Sequence, residues 1–427
     1  MKKLNSNSKN FDKLLDILLS KRKNKLKSSS VSVTKIINDV KKNGDKALLK
    51  YEKRFNQNTL LFPSSEQIAK SIRSLDPKVK KAIDLAYMRI HKFHSLQKYK
   101  NISFVDKFKN KLEYKYLPLE SVAIYVPGST AAYPSSVLMN AIPAIVAGVK
   151  RIIMVNPGFK GKQNPAVLYA AKKCKIKEIY SIGGPSAIAA VSYGTKKIKK
   201  VDKIVGPGNS YVAAAKKEVF GDVGIEAMTA GPSEVTIVCD KFSNPSWIAS
   251  DLIGQAEHDE LAQCILISKN KNFLEKVRIE VFEQLRKISR FSIAKKSLMS
   301  NGILMYINSE KKIIDVINKI APEHLELNVK NYKSLVPKIK NAGSICLGKY
   351  AVMAMTDYNI GTNHVLPTNG TAKYSSGISV NEFYKRISYI NLTKKGIESL
   401  GPSVITLANY EGLTGHAQSV KKRIRRK

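Results

Sequence analysis

From Ser121 onward, short and nearly continuous apolar runs alternate with longer stretches in which apolar residues recur every three or four positions. The runs SVAIYVPG, KRIIMVNPG, KEIYSIGG and DKIVGPGN each close on a glycine or proline turn, as strands do. Between them, PSSVLMNAIPAIVAGV, PAVLYAAKKCKI, PSAIAAVSYGT and SYVAAAKKEVFG have helical spacing. Strands alternating with helices of this length build a parallel sheet with crossover helices, so residues 121–222 are expected to form a Rossmann-like layer. Upstream, residues 11–54 read as two amphipathic helices around a Ser-rich break at 28–34, whose Ser and Thr can cap the second helix. Residues 74–100 read as a third. Downstream, AGPSEVTIVCD (230–240) is a strand, PSWIASDLIGQAEH a helix, and further β/α material runs to about Gly377. The last fifty or so residues are mostly helical. The expected fold class is α/β: two Rossmann-like parallel-sheet domains plus a small, mostly helical C-terminal element.

Composition changes this picture little. A chain of 427 residues has ample core, and none of its apolar stretches approaches the ~18–20 residues a membrane span requires. The run LLDILLS near the start is broken by Asp16 and has no small-residue cleavage pattern behind it, so a cytoplasmic location is expected. The four cysteines, Cys174, Cys239, Cys264 and Cys346, form no CxxC pair and read as reduced and buried. A formal charge of +40 would suggest nucleic acid, but lysine is spread through nearly every segment, without a patch. Neither nucleic acid nor membrane is an expected partner; the basic tail KKRIRRK (421–427) reads as a solvated terminus.

Candidate chemistry collects in short, polar, glycine-bearing segments. In KIVGPGNSYVAAAKK (203–217) a strand meets a Gly-rich turn and then a helix opening at Asn209 and Ser210. Free N–H groups at such a start attract an anion, yet without a GxGxxG fingerprint the turn admits a purely structural reading too. YVPGST (125–130) and IGGPSA (182–187) end neighbouring expected strands, where open α/β sheets bind ligands. DLIGQAEHDE (251–260) sets Gln255 and His258 three apart on one expected helix face, as a polar surface pair or half a metal site. Asp357 and His364 share an irregular Gly/Asn/Pro-rich loop, and Glu411 and His416 another small-residue segment. His91 and His94, at i and i+3 on the third helix, have no acidic partner nearby and read as surface or core. Gln255, His258, Asp357 and His416 together offer the N/O donors that zinc or a similar divalent ion accepts, with no thiolate. In APEHLE, Pro322 stops the preceding helix and sets Glu323 and His324 at a rigid bend. An acid beside an imidazole provides two proton-transfer groups, although adjacent residues ordinarily point apart.

Seven ordered blocks, YVPGSTAAYPSSVLMNAIPA, GPGNSYV, AGPSEV, DLIGQAEH, APEHLE, GTNHVLPT and EGLTGH, resemble histidinol dehydrogenase over nearly the whole chain. The resemblance implies a zinc-dependent oxidation of L-histidinol through histidinaldehyde to L-histidine, with two NAD+ in succession, at the end of histidine biosynthesis. It implies Gln255, His258, Asp357 and His416 as ligands of one zinc per subunit, and Ser233, Glu323, His324 and Glu411 as further substrate contacts. Tyr125 and Asn209 would contact NAD, as would Ser186, which stands where the family often has Gln and reaches less far. The implied partner is a second copy, in a homodimer whose C-terminal segments cross, so that His416 and Glu411 complete the other subunit's site. In the implied mechanism the zinc orients the substrate, His324 takes the alcohol proton, and Glu323 activates water for the aldehyde step. The division expected is 1–120 for the N-terminal helices and first part of a large α/β domain, 121–232 for NAD binding, 233–377 for the remainder of the large domain with the metal and catalytic residues, and 378–427 for the dimer-crossing segment. A thiol-based aldehyde dehydrogenase is disfavoured, because no cysteine sits in a glycine-rich turn. EAMT (226–229) replaces the family's IDMP, leaving Glu226 without a role.

Overall fold

The computed structural model describes residues 1–24, 30–128, 132–226 and 231–424; the Ser-rich break at 28–34, the YVPGST turn, the 226–229 departure and the basic tail fall partly outside them. The chain opens with β1 (Lys2–Asn5), α1 (Phe11–Asn24), α2 (Ser30–Asn56), α3 (Ser65–Arg73) and α4 (Pro77–Ser95). Helix α2 kinks at Gly44, where φ is 52°, and both halves press apolar residues such as Ile37 and Leu48 onto the first α/β layer. Helix α4 begins at Pro77 behind the capping carboxylate of Asp76, which accepts a hydrogen bond from Lys78 N–H. His94, on α4, is a core residue: it is fully buried, with Nδ1 2.8 Å from the Ile90 carbonyl.

After β2 (Ile102–Val105) and β3 (Lys111–Pro118) comes the expected alternation. It runs β4 (Ser121–Tyr125), α5 (Pro134–Ala147), β5 (Arg151–Val155), α6 (Pro165–Lys173), β6 (Glu178–Tyr180), α7 (Gly184–Tyr193), β7 (Lys203–Val205), α8 (Ser210–Glu218) and β8 (Gly224–Ile225). These five parallel strands lie in the order β6-β5-β4-β7-β8. That is the doubly wound arrangement, whose ligand crevice opens beyond the carboxyl ends of the strands where the order reverses, between β4 and β7. Tyr125 ends β4, and Gly206 follows β7. Gly206 takes φ +104° so close to its neighbour that an added Cβ would lie 2.2 Å from the Tyr125 carbonyl oxygen, so only glycine fits.

The second layer contains β9 (Glu234–Cys239), α9 (Pro245–Ala256), β10 (Gln263–Ser268), α10 (Lys271–Leu285), α11 (Phe291–Asn301), β11 (Ile303–Tyr306), α12 (Glu310–Ile320), β12 (His324–Asn328), α13 (Tyr332–Leu335), β13 (Ser344–Leu347) and α14 (Met353–Tyr358). Its parallel sheet repeats the same winding, β11-β10-β9-β12-β13, with β1 added outside β11. The segment 359–383 then returns to the first layer: Val365, Ile378, Val380 and Phe383 enter its core, and Asn363 Nδ2 donates to the Met139 carbonyl at 2.6 Å.

The last elements are β14 (Tyr384–Asn391), α15 (Lys394–Tyr410) and α16 (Thr414–Ile424). Strand β14 pairs antiparallel with β3, which pairs with β2, giving a small third sheet that carries the two packed terminal helices. This sheet and β1 are additions to the expected outline. None of the helices among the described residues is long and apolar enough to cross a membrane. All four cysteines are free and buried.

Candidate active site

The acid and imidazole pair is placed by the junction of α12 and β12. Ser309 caps α12, whose Ile313, Val316, Ile317 and Ile320 bury one face. Pro322 has no N–H to extend the helix, and the chain turns at Ala321 with φ 48°. As expected from Pro322, Ala321 lies outside the helical region and the helix stops; the residue is left-handed, a conformation that closes a helix and reverses the chain into the strand. Along β12, Leu325 and Leu327 enter the core on one face, so His324 and Glu326 share the other. Glu323 stands just before the pleat begins, and its Oε1 comes within 4.0 Å of His324 Nε2. Strand alternation therefore does not separate the pair.

Asp357 Oδ1 lies 3.8 Å from the same Nε2. Asp357 was expected in a loop; it sits in the short helix α14, while His364 lies in the loop beyond, with Nδ1 2.8 Å from the Asp357 carbonyl. The other carboxylate oxygen of Glu323 accepts the Glu234 N–H at 2.7 Å. Burial, with the carboxylates of Glu234 and Asp357 nearby, holds the Glu323 carboxyl well above the usual range. Burial also raises Asp357, to about 7. Burial and the neighbouring His364 and His258 push His324 down to about 3, so its imidazole is neutral. Catalytic acids and bases are commonly tuned this way.

Beneath this group lies a second carboxyl pair that the sequence motifs did not single out. Glu326 accepts the Met353 N–H at 2.8 Å and hydrogen-bonds the carboxyl of Asp251. Burial and the Asp251 charge raise Glu326 to about 8, and burial raises Asp251 to about 6. Asp251 is one helical turn before Gln255 on α9, and Met353 one turn before Asp357 on α14. Glu326 thus ties together the three elements that carry Gln255, His324 and Asp357. The signal was present as spacing, one turn or one strand repeat away from each candidate. Glu234, within AGPSEV, likewise lies beside Glu323 although its sequence carries no sign of it.

Gln255 is fully buried, and neither Oε1 nor Nε2 has a hydrogen-bond partner. An unsatisfied buried amide costs about 1–3 kcal/mol per group, so Gln255 is poised for a polar partner from outside this chain. His258 stands in the turn just past α9, exposed, where the expected helix has already ended. Gln255, His258 and Asp357 offer an amide oxygen, an imidazole and a carboxylate, a donor set that suits a borderline divalent ion. Among the described residues of one chain, nowhere do three or more His, Cys, Asp or Glu side chains gather as a metal site. Glu411 and His416 lie exposed on the terminal helices, and one chain does not bring them to the others. Ser233 is half-buried at the entry to β9.

At the switch point of the first sheet, Tyr125 is buried and its hydroxyl accepts the Gly184 N–H at 3.1 Å, at the start of α7. Burial pushes that phenol up to about 12. Asn209 caps α8, accepting from Tyr211 N–H and Val212 N–H, both at 3.1 Å. Ser186 is buried and spends its hydroxyl on the Gly183 carbonyl at 3.0 Å. Glu52, from α2, was not anticipated: it accepts the Gly183 N–H at 2.7 Å, so a protein carboxylate already occupies the opening of α7.

A doubly wound nucleotide-type layer, joined to a layer that buries an acid, an imidazole and a ligand-ready amide, is the arrangement of an α/β dehydrogenase. Comparison with known proteins makes this particular. The family model described as histidinol dehydrogenase matches residues 19–424. Histidinol dehydrogenase of Pelagibacter ubique is 80% identical over 427 residues, covering 100% of both chains, and that of Nitrosomonas europaea is 43% identical, covering 99% of each. The crystal structure of histidinol dehydrogenase from Elizabethkingia anophelis superposes with a TM-score of 0.94 at 37% identity, covering 99% of this chain and 98% of that one. The chain belongs to the histidinol dehydrogenase family and is an oxidoreductase.

Proposed function

We propose that the protein oxidises L-histidinol through L-histidinaldehyde to L-histidine, reducing two NAD+, with zinc held by Gln255, His258 and Asp357 and by His416 of a partner subunit. The observation that carries this reading is the buried cluster of Glu323, His324 and Asp357 beside the unpartnered amide of Gln255. NAD+ supplies the hydride acceptor, and the divalent ion a fixed charge for the amine and imidazole nitrogens of the substrate. Neutral His324, whose Nδ1 is buried without a partner, takes the proton of the alcohol as the first hydride leaves. Glu323, whose raised pKa makes its carboxylate the stronger base, takes a proton from water as that water adds to the aldehyde. Once its first proton has passed to solvent, His324 serves again, taking the hydroxyl proton of the hydrate as the second hydride goes to the second NAD+. Burial of both groups keeps bulk water from the intermediate.

Ser233 and the partner's Glu411 would contact the substrate, and Tyr125, Ser186 and Asn209 the NAD, so that 121–232 serves as the cofactor layer. The homodimer is supported by the terminal helices, which expose Leu400, Val404, Leu407 and Leu413 and leave Tyr410 92% exposed. An apolar arm of this kind marks an association surface. A cytoplasmic location suits a biosynthetic enzyme with free, buried thiols. Cys264 is a poor nucleophile: it is fully buried, donates to the Leu252 carbonyl at 3.3 Å, and burial raises its pKa. The test is the yield of NADH per L-histidinol, with and without a chelator. Two NADH per substrate, lost on chelation and regained with zinc, is the expected result; a yield of one, or indifference to the chelator, contradicts the reading.

A further inference from the structure

Glu226 is the residue at which the chain leaves β8 to cross toward the second sheet, and it is 5% exposed. Its Oε2 accepts the Gly206 N–H at 3.2 Å and lies 3.4 Å from Lys216 Nζ. Lys216, 3% exposed on α8, donates from the same Nζ to the Gly206 carbonyl at 2.6 Å. One buried ion pair thus holds both polar backbone groups of a single glycine. That glycine is the one in the left-handed region, pressed on the carbonyl of Tyr125 at the switch point.

Stability does not account for such a pair. Replacing a buried ion pair with apolar residues of similar volume is often neutral or stabilising, because desolvation offsets the attraction. What the pair supplies is direction. It fixes the orientation of the peptide groups on either side of Gly206, and three residues later the chain reaches Asn209, the cap of α8. A rotation at Gly206 would swing Asn209 and the first amides of α8 away from the crevice beside Tyr125.

We infer that Lys216 and Glu226 are positioning residues for the dinucleotide, whose buried pair sets the Gly206–Asn209 turn so that NAD binding depends on two side chains lying behind it. This rests on the reading of that turn as the NAD site.

The experiment compares wild type, the double variant Lys216→Met/Glu226→Leu, and Glu226→Gln. Gln keeps an oxygen for the Gly206 N–H. Each is assayed at pH 8.5, above the value of about 7 to which burial pushes Glu226, so that the carboxylate is ionised. The readouts are melting temperature without nucleotide, NAD+ dissociation constant by calorimetry, and separate KM values for NAD+ and histidinol. The double variant is expected to melt within a few degrees of wild type. Its Kd and KM for NAD+ should rise roughly tenfold or more, with KM for histidinol unchanged. Glu226→Gln should recover most of the affinity. A folded double variant with wild-type NAD+ affinity overturns the inference. Should the double variant fail to fold, Lys216→Met alone decides: it removes the donor to the Gly206 carbonyl, so a loss for NAD+ with KM for histidinol unchanged bears the inference out, and equal losses for both, or none, overturn it. If wild type itself shows no NAD+ affinity, the reading of the turn is at fault, and the inference goes with it.

Discussion

Glu52 is a carboxyl buried where the chain gains nothing from its charge except one N–H from Gly183 and one from Asn56. Burial pushes it from 4.5 to about 7. Between those values the folded protein binds more protons than the unfolded chain, so the Glu52 contribution to stability falls as pH rises through that window. The swing is on the order of 3 kcal/mol at most. Glu52→Gln should flatten the dependence, measured as the difference in urea-unfolding free energy between pH 5 and pH 8; a slope equal to wild type would refute the assignment. Glu323→Gln should slow histidinaldehyde oxidation by roughly 10²–10⁴-fold and alcohol oxidation much less, because only the former needs activated water. Normal turnover of supplied histidinaldehyde would rule that role out. Glu323, His324 and Asp357, which the fold brings together, stood out in the sequence because their motifs are short, polar and punctuated by turns, as did the candidates Gln255 and His258. Glu52, Glu226, Lys216 and Glu326 did not. A carboxylate or ammonium group in a helix or at a strand end looks solvated until the fold shows what lies over it.

At the scale of elements, the parallel α/β character of both layers followed from strand and helix alternation, since central strands such as β4, β9 and β10 are buried on both faces and read as nearly continuous apolar runs. The hairpin β2–β3 and strand β14 escaped because they are largely exposed and so carry little apolar contrast. The location of the chemistry was only half legible. Open α/β sheets bind ligands at the carboxyl ends of their strands, and Tyr125 and Gly206 obey that rule. Glu323 and His324 instead stand at the amino end of β12, beside the amino end of β9. There the spacing of α9, β12 and α14 depends on Glu326. Glu326→Leu should remove the acceptor for Met353 N–H and strand Asp251, weakening zinc binding by roughly 10–100-fold in chelator competition. Glu326→Gln, which can accept from Met353 and donate to Asp251, should stay close to wild type. Equal affinities for the two variants would show that the tie is dispensable.

For the molecule as a whole, one chain leaves its proposed site incomplete and its terminal arm uncovered. Mixing His416→Ala subunits with Glu323→Gln subunits should therefore restore up to about a quarter of wild-type activity, because both lesions fall in the same site of each heterodimer and leave the other intact. No recovery in verified heterodimers would argue against crossed arms. In the proposed enzyme, residues far apart in sequence, and on two chains, meet around one cation. Anomalous diffraction from crystals grown with zinc tests this directly. One strong peak per subunit is expected within about 2.0–2.2 Å of donor atoms from Gln255, His258, Asp357 and the partner subunit's His416. A zinc peak elsewhere, or none at Gln255, would contradict that arrangement.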